Sequence, residues 1–281
     1  MNRPADIKFE EIGDWSEIKL DIIKDYASAY SKILAAQRQP KLYHVYIDGF
    51  AGSGASISKS SKEYVLGSPL NALLVRPKFR EYHLIDINRR KTTVLDKLVA
   101  ALGEKTGVST YAGDCNQILL QEVFPRVRYE DYRRGLCVLD PYGLHLRWEV
   151  IQTAGQLRSI DMFLNFPVMD MNRKVIWHDP SGVRSSYIKR MDDFWGDQSW
   201  KGVAYSTTKD LFRHPEKEDN ETIAEAFRER LQKVAGFSHV PSPMPMRNSK
   251  GAVVYYLFFA SQKPVAAYII EKIFGKYRDQ V

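Results

Sequence analysis

The amino-acid sequence predicts an α/β fold with a doubly wound, mostly parallel sheet. Between residues 43 and 165, short apolar runs alternate with amphipathic helical patterns, and every one of these runs leads into an Asp or Asn. Strands that alternate with helices form parallel sheets covered by helices on both faces. Ligands of such sheets bind at the carboxyl ends of the strands. The row of acidic and amide side chains therefore indicates a binding edge.

The first predicted element is a helix over residues 16–37. Its apolar residues recur at helical spacing, namely Ile23, Tyr26, Ala27, Tyr30, Ile33 and Leu34. This is the pattern of an amphipathic helix that buries one face. Asp14 or Ser16 is suited to cap its start, and Pro40 ends it.

The elements that follow build the sheet. The apolar runs predict strands at residues 43–47, 82–85, 108–112, 136–139 and 162–164. The helical patterns between them cover residues 69–75, 91–102, 117–123 and 149–157. Near the end of the chain, residues 252–260 form a strongly apolar strand pattern, and residues 264–274 predict a closing helix.

Residues 168–235 interrupt this alternation. They are polar and basic, include a good helix pattern at 220–234, and carry scattered aromatic residues, namely Trp177, Tyr187, Phe194, Trp195 and Trp200. The sequence shows no internal repeat and no linker rich in Gly or Ser. We therefore predict one domain over residues 1–281, with an α-rich insertion at 168–235 before the last strands. These aromatic residues either form the core of the insertion or stack on bases.

Composition excludes several classes of protein. The 281 residues include two cysteines, too few for a disulfide scaffold or a multi-cysteine zinc site. The histidines show no metal-ligand spacing, so we expect no metal site. The N-terminus has no secretory pattern and no window is apolar enough to span a membrane, which favours a cytoplasmic protein. The net charge of +7 is spread along the chain, with basic clusters around residues 76–91, 126–134 and 173–190. This charge is compatible with nucleic acid as a partner without requiring it.

A glycine-rich loop follows the first strand of the sheet. Its sequence runs Asp48-Gly49-Phe50-Ala51-Gly52-Ser53-Gly54. Glycines allow a ligand to approach the backbone closely, so a strand leading into this loop indicates a bound nucleotide. The loop is neither a dinucleotide fingerprint nor a P-loop, because Ile57 replaces the third glycine and no Gly-Lys-Ser/Thr follows. Ser68 and Pro69 are predicted to start the next helix, which makes residues 59–67 an inserted loop or lid.

Acidic residues at the next two strand ends extend this binding edge. Asp86 ends the second strand, where a carboxylate can accept hydrogen bonds from two ribose hydroxyls. Asp114 follows the third strand in Gly113-Asp114-Cys115-Asn116 and can accept from an adenine amino group. This succession resembles class I S-adenosylmethionine-dependent methyltransferases. The resemblance implies that the loop with Asp48, Phe50, Gly52 and Gly54 faces the amino-acid part of S-adenosylmethionine, Asp86 the ribose, and Asp114 with Cys115 the adenine.

The fourth strand ends in a candidate catalytic motif, Asp140-Pro141-Tyr142-Gly143. Methylation of an exocyclic amine needs an acceptor for its N–H groups and an aromatic face for the base. Asp140 and the Pro141 carbonyl can supply the acceptors, and Tyr142 the aromatic face. The motif resembles the Asp/Asn-Pro-Pro-Tyr/Phe element of amino-methyltransferases, without its second proline, and more closely the Asp-Pro-Phe-Gly of guanine-N2 tRNA methyltransferases. A packed turn whose Asp caps a helix is the structural alternative.

The whole chain is similar to the three-Cys-motif partner proteins. The similarity rests on Trp15 with the first helix, on residues 46–54, 67–70, 113–116 and 139–143, and on Asn165-Phe166-Pro167 and residues 255–261. It implies a class I methyltransferase-like (Rossmann-like) fold and a partner protein with a three-cysteine motif of the radical, iron–sulfur type.

The sequence is compatible with two functions. The first is a methyltransferase that uses S-adenosylmethionine and acts on an exocyclic amine of a nucleic acid base. The second is a catalytically silent, methyltransferase-like binding module that docks onto its three-Cys-motif partner or onto nucleic acid. The sequence determines neither the methyl acceptor nor the oligomeric state.

Overall fold

The computed structural model of the protein describes residues 9–103, 107–209 and 215–280. Within these ranges the strands are β1 (Glu11–Ile12), β2 (Tyr43–Asp48), β3 (Ala55–Ser58), β4 (Tyr64–Leu66), β5 (Glu81–Asp86), β6 (Val108–Ala112), β7 (Arg133–Leu139), β8 (Ile160–Phe166), β9 (Tyr205–Lys209), β10 (Pro215–Lys217), β11 (Met244–Arg247) and β12 (Val253–Ala260). The α-helices are α1 (Asp14–Ala36), α2 (Ser68–Leu74), α3 (Arg89–Ala101), α4 (Cys115–Ile118), α5 (Trp148–Gln156), α6 (Val168–Lys174), α7 (Ser185–Trp195), α8 (Trp200–Ala204), α9 (Asn220–Lys233) and α10 (Pro264–Tyr277).

The chain divides into two compact units, residues 1–138 with 272–281 and residues 139–271. In the first unit the strand order is β7-β2-β5-β6, and each neighbouring pair is parallel. In the second unit the order is β11-β12-β8, with β12 antiparallel to both neighbours. The predicted α/β fold with a mostly parallel sheet is confirmed.

The predicted strands and helices of the sheet region lie within a few residues of the observed ones. The pattern at 108–112 coincides with β6, and the pattern at 252–260 matches β12. The pattern at 117–123 covers the end of α4 and the π-helical turn Leu119–Val123 that continues it. Parallel strands buried on both faces are continuous apolar runs, which is why they are readable in the sequence.

The predicted start of the first helix was wrong. The N-cap is Gly13, and no side chain caps the helix, whereas Asp14 or Ser16 was expected there. Instead, the Gly13 carbonyl accepts from Ser16 N at 2.8 Å, and the Trp15 ring lies where a Cβ of Gly13 would be. Close packing of this ring selects glycine at the cap.

The predicted inserted loop at 59–67 is in part a β-hairpin. Strands β3 and β4 pair antiparallel, and β1 joins β3 in a parallel pair, which makes a second, three-stranded sheet. The hairpin closes on the glycine-rich loop, because Gly67 N donates to Gly54 O at 2.7 Å. The N-cap of the following helix is Gly67 and not Ser68 as predicted.

Residues 168–235 hold α6 to α9 and the hairpin strands β9 and β10. Their largest aromatic side chains belong to a core shared with the strands of the second unit. Phe227 lies 4.6 Å from Phe166 and 5.6 Å from Phe258, measured between ring centroids, and it stacks on Phe194 at 5.7 Å. Trp195 and Trp200 are buried as well. A base-stacking role for these buried rings is thereby excluded, while the single-domain organisation with an insertion stays a prediction.

No helix among the described residues is long and apolar enough to cross a membrane.

Candidate cofactor and acceptor sites

Asp48, the first of the predicted cofactor-site residues, anchors the glycine-rich loop through hydrogen bonds. It is the last residue of β2 and fully buried. Its carboxylate accepts from Phe50 N at 3.1 Å, from Ser68 Oγ at 2.6 Å and from the Tyr46 hydroxyl at 3.3 Å. Burial, together with the neighbouring Asp48 charge, raises the pKa of Tyr46, which keeps its hydroxyl protonated as a donor. Asp48 is thus placed to shape the loop, and Phe50 enters this arrangement through its backbone.

Two glycines of the loop adopt positive φ. Gly52 has φ +61° and Gly54 has φ +85°, a region that residues with a Cβ rarely adopt. At Gly54 a Cβ would lie 2.7 Å from Leu95 Cδ1, so this glycine is required by packing as well. At Gly52, no atom of the described residues beyond the glycine and its two chain neighbours lies within 4 Å of the position of a Cβ. The loop is therefore tightly packed at Gly54 and open at Gly52, where a ligand can approach the backbone.

Asp86 is joined to this loop by a hydrogen bond. It ends β5 and is 9% exposed. Gly52 N donates to Asp86 Oδ2 at 3.0 Å, and Asn88 N donates to Oδ1 at 2.7 Å. A carboxylate offers about four lone-pair sites, so these two bonds leave acceptor sites for the two hydroxyls of a ribose. The residues present therefore fit the ribose end of S-adenosylmethionine.

Asp114 and Cys115 lie at the next strand end. Asp114 Oδ1 accepts from Asn116 N at 3.0 Å and from Asn116 Nδ2 at 2.8 Å, which caps α4. Gly113 N donates to the Asp86 backbone carbonyl at 3.1 Å, so this turn is tied to the Asp86 strand end. Cys115 is 6% exposed and packs as a small apolar residue. Backbone and side-chain hydrogen bonds thus connect three of the predicted cofactor segments within the first unit.

The second unit holds the predicted catalytic motif. Asp140 is half-buried, Pro141 is buried, and Tyr142 is 78% exposed. Asn165 Nδ2 donates to Asp140 Oδ1 at 2.8 Å and lies 3.4 Å from the Pro141 carbonyl oxygen. The two predicted acceptors, the Asp140 carboxylate and the Pro141 carbonyl, are therefore held by the same amide. The Tyr142 side chain, by contrast, is largely exposed to solvent.

Charged residues of α6 and α7 surround this loop. Asp170 Oδ2 lies where a Cβ of Gly143 would be, and Lys174 Nζ is 2.7 Å from Asp170 Oδ1. Burial, with the Arg190 and Lys174 charges nearby, lowers the pKa of His145. The turn after Tyr142 therefore lies among charges of both signs, with Asp170 paired to Lys174 and Arg190 as a further cation.

Three polar residues of these sites were missed as functional by sequence reasoning. Ser68 was taken for a helix cap, but its hydroxyl binds Asp48. Asn165 was noted only as the end of a strand, and Asp170 not at all. The signal for Asn165 was its place at the carboxyl end of a strand, where ligands of such sheets bind.

Other chemistry finds little support in the described residues. No group of three or more His, Cys, Asp or Glu side chains among them could hold a metal ion. Burial raises the pKa of the Cys137 thiol well above its usual value, which opposes thiolate chemistry. A cleft of about 770 Å³ in the second unit is lined by Glu221, Glu225, Tyr256 and their neighbours, but by none of the predicted site residues. Since α9 contributes an acidic, solvated face to it, we assign it no ligand.

Comparisons with known proteins leave the family open. No protein-family model matches the sequence, and the comparison with curated proteins gives no match. Solved structures that resemble it include a Legionella pneumophila str. Philadelphia 1 protein, with 12% identity over 92% of each chain and a TM-score of 0.45. The METTL16 methyltransferase domain has 10% identity over 86% of this chain and 83% of that chain, with a TM-score of 0.43. The human methyltransferase 10 domain containing protein has 9% identity over 86% and 82%, also at 0.43. Because these scores are low, the fold class rests on the strand order and no function is drawn from the likenesses.

Proposed function

We propose that this protein is an S-adenosylmethionine-dependent methyltransferase that acts on an exocyclic amine of a nucleic acid base. The main observation in support of binding of this cofactor is the hydrogen bond from Gly52 N to Asp86 Oδ2 at 3.0 Å. It joins an open glycine-rich turn to a carboxylate at the neighbouring strand end. A nucleoside with a charged amino-acid tail needs both groups at this spacing. Asp114 at the third strand end is suited to accept from the adenine amino group.

Charge at the cofactor site also supports this proposal. Asp86 and Asp114 follow adjacent parallel strands, and Asp48 lies at the end of the strand beside Asp86. Three carboxylates at one sheet edge favour a cationic ligand, and a sulfonium is a cation. When bound, S-adenosylmethionine supplies a methyl group on a sulfur that is already a good leaving group. The residues of the chain then have to bind the cofactor and the acceptor base, orient them and remove water from between them.

The acceptor site can perform this positioning. The Asp140 carboxylate and the Pro141 carbonyl are suited to accept the two N–H groups of a primary amine, which directs the nitrogen lone pair away from them. Tyr142, 78% exposed, offers its ring to the base. As the N–C bond forms, the bond between the methyl carbon and the sulfonium sulfur would break with its electron pair going to sulfur. The nitrogen would give up one proton, which Asp140 is placed to receive and pass to solvent. Rate acceleration would come mainly from orientation.

A polyanionic substrate is supported by the charges near the acceptor motif. His145 N donates to Gly143 O at 2.8 Å, so His145 lies next to the motif. The Arg190 and Lys174 charges act on His145. Arg190 makes no ion pair within the part of the chain that the structure describes. Cations at this place favour phosphate groups of DNA or RNA. A base within a duplex would have to be flipped out to reach Asp140.

The experiment that tests this function is methyl transfer from radiolabelled S-adenosylmethionine to RNA and DNA pools. Wild-type protein should label one pool. Asp140→Ala should reduce incorporation by at least about 100-fold, because it removes an acceptor used in the transition state, while cofactor binding persists. Asp193→Ala, which removes a surface carboxylate of the same unit, is the matched control and should retain activity. Equal labelling by wild type and Asp140→Ala would exclude the proposed acceptor site.

The binding module is the second candidate. The acceptor motif has the exposed Tyr142 where amino-methyltransferases have a second proline, and this departure favours a protein that has lost catalysis. The partner is then the three-Cys-motif protein of the radical, iron–sulfur type, as the family similarity implies. Binding of S-adenosylmethionine without labelling of any pool, together with a stable complex on co-expression with such a protein, would favour this function over the first.

A further inference from the structure

Asn165 is the buried residue on which the acceptor motif depends. It lies in β8, opposite Leu257 of β12, and is 7% exposed. Its amide nitrogen is within 2.8 Å of Asp140 Oδ1 and 3.4 Å of Pro141 O. One NH₂ group therefore contacts a side-chain acceptor and a backbone acceptor that come from adjacent residues of the same turn.

The orientation of this amide is fixed by its partners. Rotating it by half a turn would place Oδ1 against a carboxylate and a carbonyl, three acceptors with no proton between them. In the observed orientation, Asn165 Oδ1 is buried and has no hydrogen-bond partner within the described residues. An unpaired buried carbonyl costs stability. The two contacts of its NH₂ group with the Asp140 turn offset that cost.

We propose that Asn165 is a positioning residue that makes the Asp140–Pro141 turn selective for a primary amine. Since its NH₂ group holds Asp140 Oδ1 and the Pro141 carbonyl from one side, both acceptors keep a fixed separation. Each still has lone-pair capacity beyond this bond. Two acceptors at fixed separation match the two N–H groups of an amine, whereas a hydroxyl offers one donor and a ring carbonyl offers none. This inference rests on the proposed function and specifies which chemical group its site reads.

The test compares oligonucleotides that differ by one amino group. Two matched pairs serve, guanosine against inosine and adenosine against purine riboside, each at one position of the same single strand. Binding is measured by fluorescence anisotropy, with methyl transfer measured in parallel. Wild type should prefer the amine-bearing member of one pair by about tenfold, the effect expected for hydrogen bonds to a charged group.

Substitution of Asn165 should remove this preference and leave most of the affinity, which comes from the backbone phosphates. Asn165→Leu keeps the size without the donor and Asn165→Asp places a third acceptor there, so both should bind the two oligonucleotides within about twofold of each other. Asn172→Leu is the control. Asn172 is also an asparagine of this unit with a buried, unpaired Oδ1, but its amide donates to Asn220. It should keep the wild-type preference.

The outcomes distinguish the role of Asn165 from the methyltransferase proposal. A preference that survives in folded Asn165→Leu, or that is missing in wild type, overturns the role of Asn165. If wild type shows the preference and Asn165→Leu loses it but no pool is methylated, the methyltransferase proposal fails and the amine-selective site stands. Should Asn165→Leu not fold, Asn165→Ser, a smaller side chain with one O–H donor, should show an intermediate preference. A full wild-type preference in that variant overturns the inference.

Discussion

At the scale of single residues, buried histidines couple the stability of the first unit to pH. His44 in β2 is 2% exposed, and its Nε2 lies 3.0 Å from Ser31 Oγ. The Ser31 hydroxyl donates to the Pro77 carbonyl, so the histidine must donate to the serine oxygen. Burial, and then the nearby Arg80 guanidinium, lowers the pKa of His44 from 6.5 to about 4. His44 is therefore neutral in the folded protein near pH 7.

The shifted pKa of His44 predicts a loss of stability in acid. Its folded value lies below its unfolded value, so its contribution is fully present above about pH 6.5 and is lost as pH falls towards about 4. The loss is on the order of 3 kcal/mol. Urea unfolding at pH 7, 5.5 and 4.5 measures it in wild type, in His44→Gln and in His178→Gln, which alters an exposed histidine. His44→Gln should flatten the pH dependence and His178→Gln should not. An unchanged slope in His44→Gln would contradict this account.

The sequence identified the acidic residues of the site better than the residues that hold them. Asp48, Asp86 and Asp114 were found because each ends or follows an apolar run, which is a local pattern. Ser68 and Asn165 act on Asp48 and Asp140 across gaps of 20 and 25 positions. Such contacts exist only once the chain is folded. No local pattern distinguishes an asparagine at a strand end from one that holds a carboxylate.

At the scale of elements, the glycine-rich loop predicts different costs at its two glycines. An alanine at Gly52 has to adopt φ +61° but meets no neighbouring atom, which costs about 1–2 kcal/mol. An alanine at Gly54 has φ +85° and also a Cβ 2.7 Å from Leu95 Cδ1, which adds about 1–3 kcal/mol of overpacking.

Denaturant unfolding of the two variants measures these costs, and titration with S-adenosylmethionine measures the effect on the site. Gly54→Ala should lose more stability than Gly52→Ala. Gly52→Ala should lose more cofactor affinity than its small loss of stability would explain, because its new methyl group enters the open side of the turn. Equal stability losses would show that packing behind Gly54 is unimportant, and unchanged affinity in Gly52→Ala would show that the ligand does not approach there.

The elements that sequence reasoning missed depend on distant partners. Strand β11 covers only Met244 to Arg247 and contains a proline, which argues against a strand in the sequence, and it forms by pairing with β12. Strand β4 was taken as part of the loop at 59–67 and β3 was not predicted, because both strands are short. Strand β1 reaches this hairpin from the N-terminal segment. The buried parallel strands, by contrast, were predicted within a few residues because their apolar runs record burial on both faces.

At the scale of the whole molecule, the arginines of one basic cluster are engaged by neighbouring side chains. In the cluster at 126–134, Arg133 Nη2 lies 2.5 Å from Glu81 Oε2, and its guanidinium lies 4.3 Å from the centroid of the Tyr43 ring. Arg134 stacks on Tyr129 at 3.7 Å. Arg128 contacts Glu130 and Asp131. The number of basic residues in this cluster therefore overstates the surface that the cluster offers to a polyanion. The cations near the acceptor motif are stronger support for a polyanion site, because the Arg190 charge acts on His145 beside that turn.

Isothermal titration calorimetry with S-adenosylmethionine measures whether the first unit binds this cofactor through Gly52 and Asp86. Wild type should bind one molecule per chain. Asp86→Asn, which keeps the size but removes the charge, should raise Kd by about 10- to 100-fold, the loss expected for hydrogen bonds to a charged acceptor. Asp96→Asn, an exposed residue of α3, is the control and should bind as wild type does. If wild type does not bind the cofactor, or if wild type and Asp86→Asn bind it equally, the proposed role of Asp86 in cofactor binding is wrong.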